Sequence, residues 1–171
     1  MLYASPAWAV ETYNFSTRNA ALTVINTERL SQRTIDDLIC LSLNIYHESR
    51  GTSQQNQMAV ALVTRNRHRI TGRSYCSVVY ERNGTRGSAQ FSWTVHRHTR
   101  RLEKPCWDGA QRIAWRVMMD PSVVDITRGA THFHEKNISP TWARNSHSRV
   151  TIGAHTFLRV RGYYTEVAQA P

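Results

Sequence analysis

The chain has 171 residues, of which 40% are hydrophobic and 20% charged, and it carries a formal net charge of +10 at pH 7. This length suits a single domain with its own core, and the composition excludes an intrinsically disordered chain. No apolar run approaches the roughly 20 residues of a membrane-spanning helix, so we expect no transmembrane segment. The positive charge favours an anionic partner, such as nucleic acid, anionic lipid or an acidic wall polymer.

The N-terminal part of the chain is weakly patterned. Residues 1–33 show no firm hydrophobic period, and we interpret them as an extension that precedes a domain spanning 34–171. The first residues lack a basic stretch, and Pro6 interrupts their short apolar run, so they do not resemble a secretory signal peptide. We therefore expect synthesis in the cytoplasm, without a signal peptide.

A first helix is predicted from Thr34, where apolar residues begin to recur at helical spacing. Thr34 is the expected N-cap, with Asp36 and Asp37 in the first turn, and Gly51 is the expected stop. Near the end of this helix Glu48 falls on the flank between the apolar stripe and the polar face.

Glu48 has two interpretations. A carboxyl at the edge of a core is partly shielded from water, which raises its pKa and keeps it protonated, as a general acid for glycosidic cleavage must be. The alternative is an ordinary surface charge, since Arg50 is close enough in sequence to form an ion pair of little energetic value.

Two further helices are predicted in the middle of the chain. The segment SQQNQMAVALVTRNRHRI carries an apolar stripe and is followed by Gly72, whereas KPCWDGAQRIAWRVMMD has Pro105 near its start and is followed by Pro121. The short segment YCSVVYE between them fits a helix or a strand. Basic residues cluster in RNRHRITGR and RHTRR, which fit either a solvated basic face or a binding surface.

The glycines of RNGTRGSAQFSWT predict a loop that presents the block AQFSW. An amide, a hydroxyl and two aromatic rings suit a saccharide, because Gln90 and Ser92 can bind sugar hydroxyls while Phe91 and Trp93 can cover a pyranose ring. The alternative is that Phe91 and Trp93 fill the core.

The C-terminal part changes to strand patterns. GATHFHE alternates like a strand, NISPTWARNSHS is a predicted polar loop, and RVTIGAHTFLRV predicts a hairpin that turns at Gly153. The fold class is therefore α+β, with helices first and a small antiparallel sheet last.

Histidines and cysteines are the residues of this chain best suited to bind a transition metal. His132 and His134 alternate on one strand and so share a face, and with His155 they form a possible zinc set, although hydrogen-bonded histidines are the alternative. The three cysteines show no metal-ligand spacing. Cys40 is expected as a buried thiol, and Cys76 and Cys106 are left as a possible pair in an oxidising compartment.

Three blocks then occur in order: YHESRGTSQQNQMAVALVTRNR, CSVVYE followed by AQFSW, and ATHFHEKNISPTWARNSHSRVTIGAHTF. Together they resemble the SleB-type family of cell-wall hydrolases, the catalytic domain of spore cortex-lytic enzymes, which also serves as a phage endolysin. The resemblance runs from Ile35 to Arg159, and three ordered blocks are more specific than any one of them.

The resemblance implies a helix-rich fold similar to lysozyme-like and resuscitation-factor domains, with a small C-terminal antiparallel sheet. It also implies a muramidase that cuts peptidoglycan, usually as a lytic transglycosylase without a cofactor or metal. The family's essential glutamate corresponds to Glu48. The predicted substrate-binding residues are Gln90, Phe91, Ser92, Trp93, His132, His134 and Trp142.

The chain departs from the family pattern at two places. Thr52 stands where an acidic residue is usual, and Ala154 stands for asparagine in the hairpin block. A hydrolase with two carboxylates would need a second acid across the cleft, for which Glu81 and Glu135 are the candidates. Because neither lies in a block with an evident role, we favour a single-acid route through Glu48.

The expected partner is the peptidoglycan glycan strand, with anionic outer-membrane or wall polymers attracting the basic protein. We expect a monomer that binds no nucleic acid and acts in the periplasm or wall after release by a separate holin-type protein. One rival is a metal-dependent N-acetylmuramoyl-L-alanine amidase using His132, His134 and His155. Another is a non-catalytic protein that binds wall or nucleic acid through its charge.

Overall fold

A computed structural model describes residues 21–83, 88–96, 101–161 and 163. These residues form an α+β domain, as predicted, with its helices ahead of a small antiparallel sheet. The helices are α1 (Gln32–Ser49), α2 (Gln54–Thr71), α3 (Tyr75–Val79) and α4 (Lys104–Met119). The strands are β1 (Arg82–Asn83), β2 (Ser88–Ala89), β3 (His132–Glu135), β4 (Ser146–Ile152) and β5 (His155–Val160), with 3₁₀ turns at Ser92–Val95 and Thr141–Asn145.

Helix α1 is the central element of the domain. It packs against α2, α3 and α4, and its apolar residues are buried on more than one face, which is typical of a helix inside a core rather than on its surface. The helix starts earlier than predicted, because Ser31 rather than Thr34 is the N-cap: its hydroxyl accepts a hydrogen bond from the Thr34 amide at 3.2 Å. At the other end Gly51 follows with a φ of 81°, as expected for a residue just past a helix.

The sheet covers one side of α2. Its strand order is β3-β5-β4, and all pairs are antiparallel. Phe157 and Ile152 pack against Val60 and Val63 of α2 in a second, smaller hydrophobic cluster. The predicted hairpin forms between β4 and β5, with Gly153 at its tip.

Two segments predicted as loops contain regular structure. In RNGTRGSAQFSWT, residues Arg82–Asn83 and Ser88–Ala89 pair as the short strands β1 and β2, and the 3₁₀ turn Ser92–Val95 follows. The segment NISPTWARNSHS contains another 3₁₀ turn and the start of β4. Elements this short show little hydrophobic periodicity in the sequence. Whether they form depends on the hydrogen-bonding partner that the fold places beside them.

YCSVVYE begins as the helix α3, and two links hold it to α1. The Asp37 carboxylate accepts a hydrogen bond from the Cys76 amide at 2.9 Å, and Cys76 forms a disulfide with Cys40. The predictions for the cysteines were therefore wrong: Cys40 is not a thiol, and Cys106 is free rather than paired with Cys76. Cysteines that lie far apart in sequence pair only if the fold brings them together, which spacing does not reveal.

The described part of the N-terminal extension lies along α4. The Gln111 side chain accepts a hydrogen bond from the Thr23 amide at 2.7 Å, and the Trp107 indole donates to the Ala21 carbonyl at 3.0 Å. Leu22, Ile25 and Leu30 add apolar contacts to the main core.

The first basic cluster is partly internal. Arg65 and Arg67 are each 2% exposed, so the solvated-face interpretation of RNRHRITGR is wrong for these two residues. In RHTRR, residues 97–100 lie outside the described part of the chain. Among the described helices none is long and apolar enough to cross a membrane.

The disulfide generates a stability prediction. It closes a loop with a sequence separation of 36 residues, so replacing both cysteines with Cys40→Ala/Cys76→Ala should lower the free energy of unfolding by about 3–4 kcal/mol. Urea denaturation of the oxidised protein and the variant measures the loss. Cys106→Ala is the matched control and should change stability by less than about 1 kcal/mol. A double variant as stable as the control would contradict the prediction.

Candidate active site

Glu48 lies in the last turn of α1, half-buried where the core meets a groove. Burial raises the pKa of its carboxyl from the ordinary value of 4.5 to about 7, because the surroundings shield the charged form from water. No neighbouring charge contributes to this shift. The carboxyl therefore holds its proton up to neutral pH, which is the property that a general acid needs.

Two pockets share Glu48 in their linings. The first pocket has a volume of about 510 Å³, and it combines aromatic rings with amide, hydroxyl and imidazole groups. Six of the residues predicted from the sequence line it: Glu48, Gln90, Phe91, Ser92, His132 and Trp142. The ring of Trp142 is 40% exposed, so it presents an apolar face to a ligand. Such a lining fits a sugar, which has hydroxyls at its edge and C–H groups on its faces.

His132 and Arg67 form the inner part of the first pocket. Burial, with a smaller effect of the Arg67 charge, lowers the pKa of His132 to about 3, so the imidazole is neutral. Its Nδ1 contacts the Thr131 hydroxyl at 3.0 Å. Arg67 donates from Nε to the Thr131 carbonyl at 2.6 Å and pairs with Glu81 at 3.6 Å. The two residues are thus fixed by the fold before any ligand binds.

The second pocket lies on another side of Glu48 and has a volume of about 390 Å³. Its lining includes Thr52, Glu135, Lys136 and His155. The Thr52 hydroxyl donates to the Ser49 carbonyl at 2.7 Å, so the residue that departs from the family pattern closes the end of α1. Glu48 is therefore the residue that the two linings have in common.

Asn56 links the two walls of the second pocket. Its amide nitrogen donates to the Thr52 hydroxyl at 3.0 Å, and its oxygen accepts from the Ala154 amide at 3.2 Å and lies 3.1 Å from Nδ1 of His155. A Cβ on Gly153 would lie 3.0 Å from the Asn56 Cβ, and the φ of 59° also favours glycine there. The hairpin tip is therefore held close to the turn that follows Glu48.

Two predicted substrate-binding residues lie away from the pocket linings. Trp93 is 5% exposed and packs in the core, where its indole donates to Asn44 at 3.0 Å and its ring stacks on His47 at 4.6 Å. His134 is buried, with Nδ1 2.7 Å from the Glu135 carbonyl and its ring against Trp142 at 5.8 Å. Both contact the site through other residues: Trp93 fixes the segment that carries Gln90, and His134 supports Trp142.

The three histidines proposed as zinc ligands do not converge. In the register of β3 with β5, His132 pairs with Leu158, whereas His155 pairs with Glu135. Since paired residues share a face and neighbours alternate, His155 lies on the face opposite to His132 and His134. No group of three His, Cys, Asp or Glu side chains that could hold a metal occurs in the described ranges. The alternative zinc set considered for these histidines is therefore not formed among the described residues.

The two candidates for a second carboxylate are placed differently. Glu81 pairs with Arg67 and with Arg73, the latter at 2.7 Å, and it lines neither pocket. Glu135 is exposed and lines the second pocket with Glu48.

Sequence reasoning missed Arg67, Asn56 and Phe133, which line the first pocket or connect the walls of the second. Arg67 lies in a basic cluster and Asn56 lies in a run of polar residues at a helix start, so neither residue stands out from its neighbours in the sequence. The only available signal was that both fall within the first block of the resemblance, which does not separate buried polar residues from exposed ones.

Comparison with known proteins identifies one family. A sequence model of the cell wall hydrolases matches residues 51–158, which is more than half of the chain. The match begins just after Glu48, so it covers most of both pocket linings but not the acid. No curated protein and no solved structure matches the chain. The likeness to lysozyme-like domains, the boundary at residue 34 and the roles of the site residues thus stay predictions.

The raised pKa of Glu48 predicts a pH-dependent cost in stability. The folded state binds a proton that the unfolded state releases between pH 4.5 and about 7, so stability falls as the pH rises through this window. Glu48→Gln removes the cost and should be more stable than the wild type at pH 8, by about 3 kcal/mol. The difference should vanish at pH 4. Urea denaturation at both pH values measures it, and equal stabilities at pH 8 would contradict the desolvation of Glu48.

Proposed function

From the premise that this chain belongs to the cell wall hydrolase family, we propose that it cleaves the β-1,4 bond between N-acetylmuramic acid and N-acetylglucosamine in peptidoglycan. The observation that carries the proposal is the carboxyl of Glu48, whose pKa is raised to about 7 where two pockets meet. An acid that cuts within a polymer needs binding space on both sides of the scissile bond, and this arrangement supplies it.

Glu48 acts as the general acid. It donates its proton to the glycosidic oxygen as the bond from that oxygen to C1 of the muramoyl sugar breaks. Positive charge develops on C1 and the ring oxygen, and the substrate's own groups stabilise it. The muramoyl 6-hydroxyl then attacks C1, and the Glu48 carboxylate takes its proton. The product is a 1,6-anhydro sugar, and the acid is restored without a second protein carboxylate, as in a lytic transglycosylase.

The first pocket holds one of the sugars beside this bond. Gln90 and Ser92 can bind sugar hydroxyls, and the exposed ring of Trp142 can cover an apolar sugar face. His132 is neutral, so it can make a hydrogen bond with a hydroxyl without adding charge next to the oxocarbenium. A cationic imidazole at this position would oppose the positive charge that develops on the sugar.

The net charge of +10 adds an attraction to the anionic polymers of the wall. Attraction of this kind is screened by salt, so it concentrates the enzyme on its substrate without deciding which bond is cut.

The central test is Glu48→Gln. The amide keeps the shape of the side chain but has no proton to give, so cleavage should fall by about a hundredfold to ten-thousandfold. Release of muropeptides from purified peptidoglycan, followed by mass spectrometry, measures the rate, and circular dichroism confirms that the variant is folded. Glu28→Gln, at an exposed position, is the control and should keep wild-type activity. A folded Glu48→Gln variant with more than about a tenth of the wild-type rate would reject Glu48 as the acid.

Trp142→Ala tests the first pocket. Loss of the exposed ring should weaken binding of glycan fragments by about tenfold, roughly 1.4 kcal/mol, while kcat changes little. Val124→Ala removes another exposed apolar side chain and serves as the control. If Trp142→Ala lowers kcat and leaves KM unchanged, the ring does not stabilise the bound substrate and the transition state equally, which contradicts the prediction.

A further inference from the structure

The second pocket brings another carboxylate to the proposed acid. Glu135 ends β3 and lines this pocket together with Glu48. Its carboxylate is exposed, and within the described residues it forms no ion pair or hydrogen bond. Glu81, the other candidate, is occupied by two arginines. Of these two acids, only Glu135 lines the second pocket, and its carboxylate is not held in an ion pair among the described residues. Glu135 is therefore the one that can act on a ligand in this pocket.

The backbone around Glu135 is fixed relative to Glu48. Glu135 pairs with His155 across β3 and β5, and the Lys136 amide donates to the Ala154 carbonyl at 2.9 Å. Asn56 joins His155 and Ala154 to Thr52, which is bound to the end of α1. A continuous set of hydrogen bonds therefore runs from the strand that carries Glu135 to the helix that carries Glu48, and it sets the separation of the two acids.

The two carboxyl groups differ in their exposure to water. Glu48 is shielded, which raises its pKa to about 7, whereas the Glu135 side chain is exposed at the second pocket. Hydrolysis of a glycosidic bond by two carboxyl groups uses one as the acid and the other, across the same cleft, as the base.

We propose that Glu135 is a general base that activates a water molecule in the second pocket, so that hydrolysis competes with formation of the anhydro sugar. This inference rests on the proposed function, because it uses the same bond and the same acid. Glu48 gives its proton to the leaving oxygen, which keeps the electron pair of the broken bond. The water oxygen bonds to C1, and one water proton passes to the Glu135 carboxylate. The sum is the addition of one water across the bond, and solvent exchange then restores both acids.

The geometry leaves room for this water. The volume of about 390 Å³ exceeds the roughly 30 Å³ that one water occupies in the liquid, so sugar groups and water fit together.

The experiment is Glu135→Gln, with the products of peptidoglycan digestion separated by mass. Hydrolysis gives a reducing muramoyl end, and ring closure gives the anhydro end, which is lighter by one water. We expect the ratio of reducing to anhydro products to fall by threefold or more in the variant. A smaller change in the ratio overturns the inference, and so does a wild-type enzyme that releases anhydro ends alone.

Glu135→Asp provides a second measurement if the glutamine variant folds poorly. It keeps a carboxylate on a shorter side chain, so its ratio should lie below that of the wild type and above that of Glu135→Gln. A ratio equal to that of the wild type in Glu135→Asp, together with a misfolded Glu135→Gln, overturns the inference.

Glu28→Gln again controls for the loss of a surface charge and should keep the wild-type ratio. The Glu48→Gln variant separates the two proposals. If it stays active, the proposed function fails. If it is inactive but Glu135→Gln leaves the ratio unchanged, only the role of Glu135 fails.

Discussion

The burial of α1 is the constraint on which the site depends. Helices α2, α3 and α4 pack around α1, so its last turn emerges from the core into the groove with Glu48 still partly shielded from water. The free energy that this shielding costs the charged carboxyl keeps the group protonated near neutral pH. The same packing that stabilises the domain therefore shields its proposed acid from water. The disulfide and Asp37 hold α3 to the N-terminal half of α1.

The two pockets around Glu48 differ in chemistry because different parts of the fold build them. The first pocket draws on the segment before the Ser92–Val95 turn and on β3, and it presents aromatic rings, hydrogen-bonding groups and the Arg67 side chain. The second draws on the turn after α1 and on the hairpin tip, and it presents charged and small polar groups.

The buried arginines show that the net charge of a sequence does not reveal which charged residues lie on the surface. Arg67 lies under the first pocket, between Phe91 and the ring of Tyr163, and pairs with Glu81. Removing such a charge from water is costly unless it is compensated. Here Nε of Arg67 donates to the Thr131 carbonyl, whereas the contact of Nη1 with Glu81, at 3.6 Å, is an ion pair without a hydrogen bond. The arrangement joins α2 to the start of β3, beside His132, whose pKa is lowered mainly by burial and to a smaller extent by the Arg67 charge.

The sequence by itself determined the long helices, the hairpin at Gly153 and the position of Glu48 at the edge of the core. These features depend on the spacing of apolar residues and on glycines at turns and helix ends, which are local signals. Only the tertiary structure decided the pairing of Cys40 with Cys76, the core location of Trp93 and the burial of Arg67. It also decided that His155 faces away from His132, and that Glu135 rather than Glu81 lines a pocket with Glu48. These outcomes depend on strand register and on contacts between residues far apart in the chain, which no local pattern encodes.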